Sequence, residues 1–184
     1  MKTAVIQVLK PNVTQEEALK AFSARGLSRA YWTLRTGPLR RIASAYVPFW
    51  VYRVRYEMNR SSEDRLFALD AVDGSLDLFS FAHVPSGSEL RPVETRNFLE
   101  LGLTEADGQR LVRDKVLRVI FQQGFFKLRS KQLEIQREPL EFYMPYWLGF
   151  YQGRGPVRCR VMDAVRRRVE GAKASAFFEQ WLAA

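Results

Sequence analysis

Cysteine and histidine are almost missing from this 184-residue chain, which has one of each, Cys159 and His83. A single cysteine excludes an intramolecular disulfide, and the usual zinc sets of Cys and His cannot be assembled from one chain. His83 follows a strand end, precedes Val84-Pro85 and has no Ser, Cys or Asp partner by spacing, so it reads as a loop histidine. Long apolar runs are missing too. Met1 to Lys10 is interrupted by Gln7, too short for a secretory signal, and no segment approaches the ~20 residues of a membrane helix. The expectation is a cytoplasmic protein with no membrane association, in which the sequons Asn12-Val13-Thr14 and Asn59-Arg60-Ser61 carry no meaning. Negative charge is also short, with 20 acidic against 29 basic residues and a net charge of +9. Most of the excess is arginine, which suits phosphate, carboxylate and aromatic-face contacts. An anionic partner would explain it, and so would a surface that only has to repel its own copies.

What the chain does have is repetition. Tyr46-Val47-Pro48-Phe49-Trp50 recurs as Tyr143-Met144-Pro145-Tyr146-Trp147, and Asp70-Ala71-Val72 as Asp163-Ala164-Val165. Trp147 lies 97 residues after Trp50 and Asp163 lies 93 after Asp70, so the second copy is shorter by four between these landmarks. Upstream, Thr14 with Glu17 and Thr104 with Asp107 place a helix N-cap before acidic residues at an offset of 90. This predicts an internal duplication around a pseudo-twofold axis. Residues 1–82 form the first repeat, the Pro-, Ser- and Gly-rich 83–96 a linker, and 97–184 the second repeat.

Periodicity fills in the unit. After a short strand at 3–9, a helix runs from about Thr14 to Arg25 with Gly26 as C-cap, and a basic connector to Arg41 leads into a long strand at 42–57. Tyr46, Pro48, Trp50, Tyr52, Val54 and Tyr56 share one strand face; Val47, Phe49 and Val51, then Arg53 and Arg55, share the other. Residues 65–72 and 75–82 read as a hairpin turning at Asp73-Gly74. The second copy repeats this with a helix at 105–123 backed by Gly124, and a strand at 131–151 whose alternation resets near Pro139. A strand at 157–165 follows, with Cys159 facing inward as a small core residue, and then an extra helix at 173–182. The fold class is α+β, a helix plus an antiparallel three-stranded sheet used twice.

The order of helix, strand and strand ending in Ala68-Leu69-Asp70-Ala71-Val72-Asp73-Gly74-Ser75-Leu76-Asp77 resembles the PepSY family, whose small domains close on an Asp-Ala-x-x-Gly hairpin. In the second copy the resemblance covers Val161-Met162-Asp163-Ala164-Val165 through Val169-Glu170, with arginines at 166–168 where the turn glycine would sit. It implies a noncatalytic module that binds or inhibits a protein partner, often a peptidase.

No catalytic, metal-binding or cofactor motif stands out. Asp70 and Asp163 fall on the apolar phase of their strands, yet each sits just before a turn, where an Asp side chain accepts turn amides. The densest charge is Arg154, Arg158, Arg160, Arg166, Arg167, Arg168 and Lys173, with Phe150 and Tyr151 beside it, the composition of a phosphate-tracking hairpin. The leading reading is a noncatalytic interaction or regulatory module, without cofactor, that engages a protein partner or a second copy of itself. The alternative is a basic nucleic-acid-binding protein using the arginine-rich hairpin and Tyr151.

Overall fold

The computed structural model describes residues 3–23, 37–58, 61–122, 133–153 and 155–183. The C-cap at Gly26, most of the basic connector, Gly124 and Arg154 lie outside the described residues. The chain is α+β, with three helices among the described residues and a mostly antiparallel sheet. No helix among them is long and apolar enough to cross a membrane. Two compact units are present, residues 1–47 with 91–99 and 143–184, and residues 48–90 with 100–142. Each unit therefore draws on both halves of the chain.

The second of these units is built on β2 (Leu39–Met58), whose residues from Pro48 onward belong to it. It pairs antiparallel with β3 (Ser61–Asp70), from Phe49 opposite Asp70 to Met58 opposite Ser61, and β3 pairs with the short β4 (Phe79–Phe81). The alternation read from the sequence decides the faces. Trp50, Tyr52, Val54 and Tyr56 are buried in one cluster with Phe67 and Leu69, beneath Val112, Val116 and Ile120 of helix α2 (Glu105–Gln122). Each such apolar side chain contributes roughly 1.5–3 kcal/mol on burial. On the opposite face Phe49 stacks near Phe142, which in turn meets Phe81 edge-on. Farther along that face Arg53 and Arg55 reach the carboxylates of Asp64, Glu138 and Glu134. Helix α2 starts where the N-cap pattern puts it, with Thr104 Oγ1 accepting from the Asp107 amide at 3.2 Å.

In the other unit β6 (Leu133–Tyr151) carries, from Tyr143 onward, the parallel partner of β1 (Ala4–Leu9) through Val8 opposite Tyr143. The path continues from β1 to β5 (Leu90–Thr95), a strand inside the segment expected to be linker. β7 (Arg158–Asp163) pairs antiparallel with β6, from Tyr146 opposite Asp163 to Tyr151 opposite Arg158, and β8 (Arg168–Val169) pairs with β7. Helix α1 (Gln15–Phe22) opens on a capping box between Thr14 and Glu17, and buries Ala18 and Phe22 against Tyr151, Met162 and Ala164. Helix α3 (Ala172–Ala183) buries Ala174, Phe177 and Phe178, the last 5.3 Å from the Tyr146 ring. Thus α1, from the first half of the chain, lies on the second hairpin, and α2, from the second half, on the first.

The hairpins end differently from expectation. Asp73-Gly74 does not join two long strands: β3 stops at Asp70 and only three residues of β4 follow. The physical cause is Asp70, whose carboxylate takes the amides of Asp73, Gly74 and Leu76 and so turns the chain away from the ladder. Gly74 does adopt the left-handed backbone, at φ 68°. In the second copy the strand likewise stops at Asp163, and Arg167 takes the left-handed position at φ 58°. Parallel bonds tie each hairpin end down. Ala71 N donates to Pro48 O at 2.8 Å and Ala164 N to Pro145 O at 3.1 Å; Ala71 O accepts from Gly102 N and Ala164 O from Asn12 N.

Gly102 passes so close to the hairpin that a Cβ there would lie 2.2 Å from Val72 O. We expect Gly102→Ala to cost about 1–3 kcal/mol, because backbone rather than a side-chain tip has to give way. Urea unfolding measures this, and an unchanged midpoint would count against the close approach.

Candidate functional site

Paired carboxylates are the first chemistry to test. Asp70 and Asp163 are both fully buried. Asp70 Oδ1 accepts from Gly74 N at 2.9 Å and Asp73 N at 3.2 Å, and Oδ2 from Leu76 N at 2.8 Å. Asp163 Oδ1 accepts from Val165 N and Arg166 N, both at 2.8 Å, and its Oδ2 lies 3.0 Å from Arg166 Nε. Burial pushes both carboxyls up from the ordinary value while the turn amides pull them down. Both oxygens of Asp70 and Oδ1 of Asp163 are thus taken by the amides of their own turns, and Oδ2 of Asp163 faces the Arg166 guanidinium.

The arginine hairpin separates into two sets. Arg166 faces Asp163, Arg167 Nη2 reaches Glu17 Oε1 at 2.6 Å, and Arg168 forks onto Glu170 at 3.0–3.2 Å. Each of the three thus has a carboxylate of the same chain. The aromatic neighbours are occupied as well. Arg41 covers the Phe150 ring at 5.0 Å, and Tyr151 is buried with its hydroxyl donating to Phe22 O at 2.7 Å. Burial pushes the Tyr151 hydroxyl up, and Arg160 beside it pulls the other way.

Tyr151, Arg158 and Arg160 are brought together instead in a groove of about 660 Å³ beside β7 and α3. Glu170, Ser175 and Glu179 complete its polar lining, so both signs of charge face the same space. Sequence reasoning missed these three. Glu170 lies just past the end of β8 with nothing local to group it with the arginines of β7, and Ser175 and Glu179 arrive on a helix whose docking has no local signal. A larger hollow of about 780 Å³ lies beside α1, lined by Thr14, Glu16, Leu19, Leu39, Arg40 and Ile42. It gathers none of the arginines of the hairpin, and Thr14 in its wall is already spent on the helix cap.

No protein-family model, curated protein or solved structure matches the chain. The functional reading therefore rests on the geometry. His83 is exposed and meets the Glu89 carboxylate at 3.0 Å in its own loop. Among the described residues no three His, Cys, Asp or Glu side chains gather as a metal set. Cys159 lines the groove floor, and its backbone amide donates to Glu179 Oε1 at 3.1 Å. Burial, with Glu179 adding, pushes its thiol from 9.0 to about 12. A thiol so protonated is a poor nucleophile.

Two outcomes follow. Asp70→Ala strips the acceptor from three amides and should cost about 2–5 kcal/mol, with Asp70→Asn losing less because one carbonyl remains. A melting temperature for Asp70→Ala within about 1 °C of wild type would refute the cap. For Cys159, the raised folded value means the fold favours the neutral thiol. That contribution is complete below about pH 9 and is lost as pH climbs toward about 12. Cys159→Ala should therefore show a shallower fall in melting temperature between pH 9 and 11 than wild type. At pH 8 the native thiol should resist alkylation that the urea-unfolded chain undergoes at once.

Proposed function

We propose that the protein is a noncatalytic interaction module that docks a protein partner, in the cytoplasm, through the groove beside β7. The observation that carries this reading is the mixed lining. Arg158 and Arg160 line the same groove as Glu170 and Glu179, which suits a polypeptide segment carrying both charges better than a polyanion. The same proposal takes the chain as a duplicated, PepSY-like unit. Its support is the matched register of Phe49 with Asp70 and Tyr146 with Asp163, and the matched bonds from Ala71 and Ala164 to the proline carbonyls.

A nucleic-acid reading is favoured by the net charge of +9. Phosphates would, however, have to displace Asp163, Glu17 and Glu170 from Arg166, Arg167 and Arg168, and a base would have to displace Arg41 from Phe150.

The test compares partner recovery from extract by wild type, by Arg158→Glu with Arg160→Glu, and by Ser175→Trp, which fills the groove. The wild type should retain a defined partner that both variants lose at unchanged fold by circular dichroism. Recovery of the same protein by all three would sink the groove. A single-stranded DNA titration runs alongside. Binding that falls steeply with salt and is abolished when Arg166, Arg167 and Arg168 are changed together to Glu would transfer the function to the nucleic-acid reading.

A further inference from the structure

Two glycines stand where helix meets hairpin, on opposite sides of the contact. Under α2 the glycine belongs to the helix: a Cβ at Gly108 would lie 2.3 Å from Tyr52 Oη and 3.0 Å from Trp50 Cζ3. Under α1 it belongs to the strand: a Cβ at Gly149 would lie 2.9 Å from Phe22 Cδ2 and 3.0 Å from its Cγ. Neither glycine has a positive φ, so close approach and not backbone conformation requires it. At the offsets of 90 and 97, Gly108 corresponds to Ala18, Val112 to Phe22 and Tyr52 to Gly149. One contact thus sets a large strand residue against a small helix residue, and the other sets the reverse.

We propose that this reciprocal size code, Gly108 against Tyr52 and Phe22 against Gly149, admits each helix only to the hairpin from the other half of the chain. The correspondence of positions rests on the duplicated reading above; the two contacts stand without it. If α1 took the first hairpin, the Ala18 Cβ would meet the Tyr52 hydroxyl and Phe22 would overfill the place of Val112. If α2 took the second hairpin, Val112 would leave the space over Gly149 unfilled. One wrong pairing is overpacked and the other is hollow, and both are penalised. Such a code is needed because loop closure favours the nearer hairpin, with Tyr52 30 residues from Phe22 and Gly149 127.

The experiment exchanges the helix residues in the full chain, Ala18→Gly and Phe22→Val with Gly108→Ala and Val112→Phe. The melting temperature should fall by roughly 10 °C or more. Adding Tyr52→Gly and Gly149→Tyr should recover at least half of the loss. A helix-exchanged chain that melts within about 2 °C of wild type overturns the code, as does a cooperative six-fold variant that recovers nothing. Should that variant not fold, Gly108→Ala paired with Tyr52→Phe decides. Removing the hydroxyl must offset at least half of the loss from Gly108→Ala, and additive losses overturn the proposal. None of the six residues lines the groove, so loss of partner binding leaves these outcomes unmoved.

Discussion

A carboxylate shut away from water has to be given donors, and that requirement organises the end of each hairpin. Asp70 and Asp163 are fully buried and take their donors from the amides that follow them. The strand must therefore stop there, because those amides are no longer available to a ladder. The next residue completes the joint. Ala71 and Ala164 donate back to a proline carbonyl, and their own carbonyls accept the amide of Gly102 or Asn12 just ahead of a helix. Hairpin end and helix entry are thus bonded through a single residue.

The same accounting governs charge. An excess of arginine does not by itself make a binding face, since a guanidinium beside a carboxylate has already spent much of its field. Arg166, Arg167 and Arg168 are in that position, and Arg158 and Arg160 line a groove together with Glu170 and Glu179. The groove beside β7 consequently carries both signs of charge, and a pattern of charge is more selective than net charge.

Much of this was legible beforehand. The period-two alternation of β2 placed Trp50, Tyr52, Val54 and Tyr56 on one face, where they are buried together. The Thr14 and Thr104 caps, the aspartates at the turns, the left-handed Gly74 and the inward Cys159 also follow from residue type and near neighbours. The hairpin at Asp73-Gly74 misled, because the dipeptide signals a tight turn while the carboxylate three residues earlier claims the amides. The strand at Leu90–Thr95 was hidden by Pro92 and polar neighbours that read as linker. Glu170, Ser175 and Glu179 gave no reason to be grouped with Arg158 until α3 was laid beside β7.

The sequence alone determined the elements that need only a few residues of context: caps set by a side chain reaching three amides along, faces set by strict alternation, and turns begun by an aspartate. Tertiary structure alone decided which hairpin each helix covers and which carboxylates meet Arg167 and the Arg53–Arg55 pair. Those choices turn on the volume of one side chain against another 127 residues away, Phe22 over Gly149, and on ion pairs such as Arg167 with Glu17 that span 150 residues. No local propensity carries such information, because packing complementarity exists only once both surfaces have been brought into contact.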